Sequence, residues 1–504
     1  MAVADHAHPL AAPAGRVRAA ERLDRLPASR WLKGVMAILF LGWLVEAYDV
    51  GLTGSVLPSL THVYHLSTGL KTVVAISSAA GIVLGIGPAG LLADRFGRKR
   101  IMVAGTVAYS VLTFLTGLAP GIAVVIVLRV LAGIAMGAVF PLPYAYGVEL
   151  VPPSLRGRFT GIADSFLSVG YFLSPLLALA LIPSAADNTG WRVMFFLGGL
   201  PVIFAILAWK YVPESPRWFE ARKRFAESER VLGQIEARVG AELGTPLPPP
   251  AVGPVAEPDG GGSARSLFSR PYLGRSAMLW TTFGGIFFVF YSIQTFMPTV
   301  VTSMGFTLSS AFVFTAVIVG VSIPGKLLEA WLVERWGRRP VIITFGAMAA
   351  VAALGFGFTR GAVPVLLVGC VMSFFGIGAD PAVKVYTAES YPTAIRATGT
   401  AVTEGVGRLL SGVVGPSLVP VLLALGGVVA VYSLVGVVAL VAVVTVAVFG
   451  AETKGRALEA ITAPSGATSP KVRRRRGSPT MTPVGHPGFR RGSPRRRLPT
   501  SRLR

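Results

Sequence analysis

Three charged residues lie inside otherwise apolar stretches of this 504-residue chain, where an ionised side chain is costly and normally has a function. Glu46 and Asp49 are three residues apart, so a helix presents both on one face. Arg129 lies in a later apolar run, at a similar depth if the two runs cross a membrane in opposite directions. We predict a proton-exchanging site in which Asp49 carries the proton and Arg129 is its partner. A static structural ion pair is the alternative.

A second group of polar side chains has the chemistry to bind a ligand. Arg408 is the leading candidate to bind a carboxylate, because a guanidinium forms two hydrogen bonds with one in a fixed geometry. Glu404 lies four residues earlier on the same helical face and can neutralise Arg408. Further candidates for the lining of the same cavity are Asp164, Tyr48, Tyr291 and Gln294.

Two more sets of charges, Lys326 with Glu329 and Asp380 with Lys384, are spaced three and four residues apart. At this spacing opposite charges on a helix are neighbours. We predict that each set pairs within itself.

The composition indicates a membrane protein, since 53% of the residues are hydrophobic and only 14% are charged. Soluble domains carry about 25% charged residues, and about 20 apolar residues suffice to cross a bilayer. The fold is therefore predicted to be all-α with twelve transmembrane helices. The predicted helices are 33–58, 70–93, 100–119, 122–147, 158–182, 192–212, 276–301, 308–333, 340–359, 362–387, 396–420 and 426–449.

Polar segments divide the chain into predicted domains. The first 30 residues are polar and basic without a short apolar core, so no cleavable signal peptide is expected. The divisions are a tail at 1–32, a six-helix bundle at 33–212, a linker at 213–275, a second bundle at 276–450 and a tail at 451–504. The linker and the last tail are rich in Pro, Gly and charge, which is typical of disorder.

Positive charge predicts the orientation. Lys and Arg concentrate in the loops after the even-numbered helices, so these loops and both termini are expected in the cytoplasm, in a multi-pass protein of the cell or inner membrane. From Lys471 onward the chain holds 12 Lys or Arg and no acid, a large part of the net charge of +23. We interpret this tail as inert or as contacting anionic lipid, with RNA binding as the alternative.

The two bundles repeat each other. The segment Asp94–Lys99 (DRFGRK) returns 240 residues later as Glu334–Arg339 (ERWGRR), and Asp164 returns as Glu404 at the same offset. Repeated halves place a site between them and alternate its access by rocking. The repeated charges are predicted to form gating ion pairs, unless they only obey the positive-inside rule. They are Asp94, Arg95, Arg98, Glu149, Arg156 and Glu214, with Glu334, Arg335, Arg338, Glu389, Arg396 and Glu452.

From about residue 33 to 456 these motifs resemble the major facilitator superfamily. The two acid-Arg-x-Gly-Arg loops are similar to its signature, and Pro213–Arg217 (PESPR) resembles that of its sugar-porter branch. Glu46–Asp49 (EAYD) resembles a motif in the first helix of aromatic-acid/proton symporters, with Glu in place of Asp and Ala in place of Gly. The resemblance implies two pseudo-symmetric six-helix bundles.

Two departures from sugar porters bear on the substrate. Asp164 stands where those carriers have Gln, and the seventh helix, with Trp280–Gly285 and then Phe287, lacks their amides. Each unpaired sugar hydroxyl would cost roughly 1–3 kcal/mol in an apolar pocket. We therefore expect proton-coupled uptake of a small organic acid, aromatic acids included. A proton-coupled sugar or polyol porter and a drug or metabolite exporter are the alternatives.

The sequence shows no nucleophile–base set, no phosphate-binding loop and no metal-ligand spacing, and its one cysteine is Cys370. We predict no enzymatic activity, cofactor or metal. The expected partners are a small-molecule substrate, protons and the lipid bilayer, without nucleic acid, for a monomer.

Overall fold

The structure, a computed structural model, describes residues 17–183, 189–250, 264–392 and 395–454. Within these residues, eleven helices are long and apolar enough to cross a membrane, and the last of them, Thr398–Phe449, has 52 residues. Gly427 interrupts that helix with φ at 64°, a conformation that glycine adopts readily. The break divides it into two spans, which gives the predicted twelve.

We number the membrane-crossing segments as spans 1 to 12. Spans 1 to 6 are Arg30–Tyr64, Thr68–Phe96, Arg98–Gly117, Ile122–Val139 with Leu142–Leu150, Pro153–Leu181, and Gly190–Leu197 with Pro201–Tyr211. Spans 7 to 10 are Arg270–Ser303, Leu308–Gly320 with Ser322–Trp336, Arg338–Phe356, and Ala362–Gly376 with Asp380–Ser390. Span 11 joins Arg396–Arg408 and the π-helical turn Leu409–Val414 to the start of Gly415–Phe449, whose remainder after Gly427 is span 12.

Four shorter elements lie outside the spans: Ala19–Asp24, Pro216–Ala221, Phe225–Leu243 and the 3₁₀ turn Ala264–Phe268. The expectation of a disordered linker is therefore wrong for its first part. The helix Phe225–Leu243 buries Leu232, Ile235 and Val239 along one face, which gives it a stable docking surface. The predicted basic tail from Lys471 lies outside the described residues.

Local sequence signals define where the first spans begin. The Ser29 hydroxyl accepts a hydrogen bond from the backbone N–H of Leu32 at 3.1 Å, and Ser67 does the same for Leu70 at 3.4 Å. Span 1 then runs for 35 residues, so that Glu46 and Asp49 lie near its middle.

Glycines allow spans 2 and 4 to pack backbone against backbone. A Cβ atom on Gly81 would lie 2.3 Å from the carbonyl oxygen of Val130, and one on Gly137 would lie 2.2 Å from that of Ile82. Small residues four apart permit such an approach between membrane helices. This contact positions span 4, which carries Arg129.

Candidate functional site

Asp49 and Arg129 form a buried ion pair between spans 1 and 4. Arg129 Nη1 lies 3.0 Å from Asp49 Oδ1, and Nη2 lies 3.1 Å from Oδ2. Both side chains are 1% exposed. Thr113 donates a further hydrogen bond to Oδ1 at 3.1 Å. The contact that the sequence predicts is therefore present, and the carboxylate is well satisfied.

The second terminal nitrogen of Arg129 has further partners within the first half, whereas its Nε has none among the described residues. Its Nη2 donates to Ser78 Oγ at 3.0 Å and to Thr53 Oγ1 at 3.2 Å. The guanidinium carbon lies 5.6 Å from the ring centre of Phe195. The pair thus connects spans 1, 2, 3, 4 and 6 around one compensated charge.

Glu46 has a very different environment, although it lies only one helical turn from Asp49. It is 2% exposed, and neither carboxyl oxygen has a hydrogen-bond partner among the described residues. Arg408, Asp49 and Glu404 are close enough to interact with it electrostatically. A buried carboxyl without partners is costly to ionise.

Arg408 lies in span 11, on the other side of the interface between the halves. Its Nη2 and Nε bind Glu404 Oε1 at 2.8 and 3.2 Å, and Nη1 donates to the Tyr291 hydroxyl at 3.2 Å. Its guanidinium lies 4.0 Å above the ring of Phe140 from the first half. Arg408 is thus neutralised by Glu404, as the sequence predicts, and it faces an aromatic ring across the interface.

A cavity of about 210 Å³ reaches this region from the side of the DRFGRK and ERWGRR loops, which we call the signature-loop side. It lies between spans 2, 4 and 11, and its walls include Asp94, Arg98, Phe140 and Glu404. A second groove of about 200 Å³, with Leu57 on its wall, lies on the opposite side.

Between the two cavities, spans 1 and 7 are in direct contact. A Cβ atom on Gly54 would lie 2.2 Å from the carbonyl oxygen of Gln294 and 2.8 Å from Thr295 Cα. The halves are therefore in contact at the level of Gly54. Of the two cavities, the one on the signature-loop side has Glu404 in its wall.

Asp164 contacts the second half through an ion pair that sequence spacing does not predict. Lys384 Nζ lies 3.4 Å from Asp164 Oδ1 and 3.0 Å from Asp380 Oδ1. Lys326 Nζ lies 3.4 Å from Asp380 Oδ2, so the prediction that Lys326 pairs with Glu329 is wrong. The cause is tertiary: span 10 packs close to span 8 and presents a carboxylate to Lys326.

The three remaining candidates for the cavity lining have different surroundings in the structure. The Tyr48 hydroxyl donates to the carbonyl oxygen of Met194 at 3.0 Å inside the first half, so Tyr48 does not line the cavity as predicted. Tyr291 accepts from Arg408, the residue that contacts Phe140 across the interface, so its place in the lining stays a prediction. Gln294 crosses the interface with an Nε2 to Tyr171 carbonyl distance of 3.5 Å, and its Oε1 has no partner among the described residues.

The signature loops carry matching networks, one in each half. Arg98 pairs with Glu149 in the first half, and Arg338 Nε lies 3.1 Å from Glu389 in the second. Glu149 accepts from the Ser215 hydroxyl at 2.7 Å, as Glu389 does from Thr453 at 2.6 Å. Sequence reasoning missed both hydroxyls.

Glu214 and Glu452 bind the first turns of spans 3 and 9. Glu214 accepts from the backbone N–H of Lys99 at 3.0 Å, and Glu452 accepts from those of Arg338 and Arg339 at 3.1 Å each. The positive end of a helix favours such carboxylates. These contacts lie within each half, so their role in gating stays a prediction.

The other predicted gating residues have different surroundings. Arg95 and Arg335 are exposed and lie over the rings of Phe96 and Trp331, and no acidic partner is recorded for either among the described residues. Arg156 pairs with Asp24 of the N-terminal helix at 2.8 Å, not with Glu149. Three positions complete the set: the Asp94 carbonyl accepts from Trp218 at 2.7 Å, Glu334 lies 3.4 Å from Arg338, and Arg396 begins span 11.

The structure also gives some residues contacts at the site that the sequence did not predict. Phe140 stacks on Arg408. Lys384 contacts Asp164 across the interface and lies 6.0 Å from the ring centre of Phe287 in its own half. Phe283 and Phe287 stack with ring centres 4.1 Å apart. Only their position inside apolar spans could have drawn attention to them, and aromatic residues are common there.

Two six-helix halves that enclose buried charges at their interface define a membrane transporter of the major facilitator type, and not an enzyme. Sequence comparison agrees, because the model of the family "Sugar (and other) transporter" matches residues 35–464. The chain belongs to this family.

Characterised relatives match over almost their whole length. The niacin transporter NiaP of Acinetobacter baylyi is 31% identical over 87% of this chain and 98% of its own. A gallate transporter of Pseudomonas putida is 29% identical over 88% and 97%. An inward-open structure of the xylose transporter XylE from E. coli superposes with a TM-score of 0.69 at 20% identity, over 85% of this chain and 99% of that one. At this identity the structural likeness concerns the fold alone.

Proposed function

We propose that this transporter takes up a small organic acid, aromatic acids included, together with a proton. The observation that supports it best is that Arg408, stacked on Phe140, interacts electrostatically with the buried carboxyl of Glu46 in the other half, which has no hydrogen-bond partner among the described residues. A cation beside aromatic rings can bind a planar aromatic carboxylate, and a buried carboxyl without partners can bind a proton.

The lining of the interface favours an acid over a sugar. Phe140, Phe283, Phe287 and Tyr291 supply ring faces and edges, and Gln294 is the one side-chain amide of span 7. A polyhydroxyl substrate would leave several hydroxyls without partners there, each at roughly 1–3 kcal/mol. The relatives named as niacin and gallate transporters are consistent with this choice, since both compounds are aromatic acids.

Proton coupling is assigned to Glu46 and Asp49 with Arg129. In this conformation Asp49 is bound to Arg129 through both oxygens, whereas Glu46 has no such partner. Glu46 is therefore assigned the proton in this conformation, and Asp49 exchanges a proton only when its hydrogen bonds to Arg129, which lie within the first half, are broken. A membrane potential contributes about 2.3 kcal/mol per 100 mV for each charge moved.

The signature-loop side is assigned to the cytoplasm, with both termini there, because its loops hold most of the Lys and Arg. The structure then has one cavity on the cytoplasmic side, while spans 1 and 7 close the outer side and the ion pair of Asp164 with Lys384 still joins the halves. An imported acid leaves the carrier when this remaining contact parts.

A proton-coupled sugar porter is the second candidate. It is favoured by the Pro213–Arg217 signature and by the likeness of the fold to a xylose transporter. It conflicts with the aromatic lining and with the acidic side chain of Asp164.

Uptake into proteoliposomes, with and without an inward proton gradient, tests the proposal. The substrates are nicotinate, benzoate-like acids, short organic acids and hexoses, and Glu46→Gln and Asp49→Asn run beside the wild type. Glu227→Gln, a change at a half-buried position of the linker helix far from the proposed site, is the control. Gradient-driven accumulation of an acid, lost in the two variants, is expected. Hexose accumulation instead would establish the second candidate, and unchanged uphill uptake in both variants would refute the proton assignment.

A further inference from the structure

Five ionisable side chains meet where spans 5, 8 and 10 pack together: Asp164, Lys326, Glu329, Asp380 and Lys384. We call them the span 5/8/10 cluster. Its ion pairs run from Asp164 to Lys384, on to Asp380 and on to Lys326, with N to O distances of 3.0 to 3.4 Å. The proton coupling proposed above uses none of them.

Among the residues that the structure describes, Glu329 is the member of the cluster without a salt-bridge partner. It is 1% exposed, and its Oε2 has no hydrogen-bond partner among the described residues. Lys326 faces it from its own span, Asp380 from span 10 and Asp164 from span 5, with the backbone N–H of Ala382 nearby.

The other elements packed around the cluster bring charges that are already compensated. From span 11, Arg408 acts on Asp380 but is bound to Glu404 at 2.8 Å. From span 9, Arg338 binds Glu389 at 3.1 Å, and Arg339 donates to the Ala447 carbonyl at 2.6 Å.

Charge balance within the cluster then determines whether Glu329 carries a proton. Lys326 and Lys384 are two cations, and Asp164 and Asp380 are two anions that bind them. An ionised Glu329 would add a third anion with no cation left for it, and an uncompensated buried charge is strongly unfavourable. The cluster is neutral when Glu329 carries a proton.

This balance depends on the position of the two halves. Asp164 belongs to the first half, and the other four residues belong to the second. When the halves separate at this level, Asp164 leaves and the second half keeps two cations and one anion. An ionised Glu329 then restores neutrality. The side chains of Asp164 and Lys384 are 18% and 32% exposed, so water can reach the cluster and exchange the proton.

We infer that Glu329 is a second proton-binding site, loaded when Asp164 contacts Lys384 and emptied when the halves separate there. The inference extends the proposed proton coupling to the second half of the carrier. It adds one proton to each transport cycle, beside the one assigned to Glu46 and Asp49.

Infrared spectroscopy of the purified full-length protein at neutral pH detects the proton without any transport assay, through the C=O stretching band of a protonated carboxyl. Subtracting the Glu329→Gln spectrum from that of the wild type is expected to leave one such band. Asp164→Asn is expected to abolish it, because Glu329 must then ionise to balance two cations and one anion.

Lys384→Met is the matched control, because it breaks the same ion pair but removes a cation, so the band is expected to remain. Gel filtration and circular dichroism establish that each variant is folded, and Asp164→Ser replaces Asp164→Asn if the latter is not. Lack of the band in the wild type, or its survival without the Asp164 carboxylate, would overturn the inference.

Transport measurements separate this inference from the proposed function. The proton-to-substrate ratio, obtained from the gradient at which net flux is zero, is expected to fall by one in Glu329→Gln and to stay unchanged in Glu227→Gln. Proton-driven uptake with an equal ratio in Glu329→Gln refutes the second site and leaves the proposed function standing. If the infrared band behaves as expected but no proton-driven uptake occurs, the second proton-binding site stands and the proposed function is refuted.

Discussion

Glu46 and Asp49 lie one helical turn apart on span 1 and are both buried, yet only Asp49 is bound by Arg129. The sequence predicts one proton-exchanging site for Glu46 and Asp49, but the ion pair with Arg129 involves Asp49 alone. Asp49 belongs to an ion pair that links five spans of the first half. Glu46 lies within electrostatic range of Arg408 and Glu404 of the second half.

Asp49→Asn and Glu46→Gln should therefore differ in stability although each removes one carboxylate. Breaking a buried ion pair from one side costs roughly 3–5 kcal/mol, because the remaining charge stays uncompensated. We expect Asp49→Asn to lower the thermal midpoint strongly in detergent and Glu46→Gln to leave it almost unchanged. Asp49→Asn with Arg129→Gln should recover part of the loss, and equal midpoints for the two single variants would contradict the assignment.

Arg408 and Glu404 should affect substrate affinity in opposite directions. Arg408→Ala removes a charge-assisted hydrogen bond worth roughly 1.5–3 kcal/mol, so the half-saturation concentration for an acid should rise roughly ten- to hundredfold. Glu404→Gln leaves Arg408 without its bound carboxylate, so the same concentration should fall. Initial rates of uptake measure both.

Arg408→Lys serves as the control for charge alone. It keeps one positive charge but loses the planar fork, so it should restore only part of the affinity. An unchanged half-saturation concentration in Arg408→Ala would place the substrate carboxylate elsewhere.

The spans and the Asp49–Arg129 contact could be predicted because they depend on little beyond local sequence. Apolar runs of sufficient length must cross the membrane, and two opposite charges inside them need each other. Glu404 is a helical neighbour of Arg408, so that pair also follows from spacing.

Contacts that depend on how the spans pack were beyond such reasoning. Nothing in the spacing of Lys326 and Glu329 shows that Asp380 of another span comes closer to the lysine. Tyr48 follows the motif of a binding residue, but the rotation of span 1 turns it toward Met194. Phe140 differs from other aromatic residues only because Arg408 lies above it.

Gly54 should determine whether the halves can close on the side opposite the signature loops. Its Cβ position lies 2.2 Å from the Gln294 carbonyl oxygen, so Gly54→Ala should hold spans 1 and 7 apart and slow transport. Thr299, on the wall of the opposite groove, reports the opening. In a Cys370→Ser background, Thr299→Cys should react faster with a maleimide when Gly54 is Ala.

Gly69→Ala is the matched control for this experiment. Gly69 begins the neighbouring span on the same side, and no atom lies within 4 Å of its Cβ position. Its labelling rate and transport should equal those of the parent protein. Equal rates in Gly54→Ala would mean that the contact can yield without opening the groove.

Glu214 and Glu452 should act independently of each other, because each binds the helix start of its own half. Loss of a helix cap costs roughly 0.5–2 kcal/mol. We expect Glu214→Ala and Glu452→Ala each to lower the thermal midpoint, and the double variant to show the sum of the two shifts. Separate sites usually add within roughly 0.3–0.5 kcal/mol. A clearly non-additive double variant would show a latch that joins the halves in the resting protein.

Glu236 should make the docking of the N-terminal helix sensitive to acid. Burial alone would raise the pKa of Glu236, but hydrogen bonds from Arg22 and Arg25, at 2.6 Å each, outweigh it and hold the pKa below the ordinary value. The stabilisation is therefore fully present above the ordinary pKa of a glutamate, near 4.3, and is lost as the pH falls through the lowered pKa. Hydrogen exchange at residues 19–26 should stay slow from neutral pH down to about that value and accelerate below it, after correction for the intrinsic rate.

Glu236→Gln should show fast exchange at residues 19–26 already at neutral pH, because Arg22 and Arg25 then lose their shared carboxylate. Glu227→Gln, in the same linker helix but bound only to the neighbouring Arg224, should behave like the wild type. If exchange in the wild type does not depend on pH beyond the intrinsic effect, the buried apolar residues Leu23 and Leu26 hold the N-terminal segment without help from this ion pair.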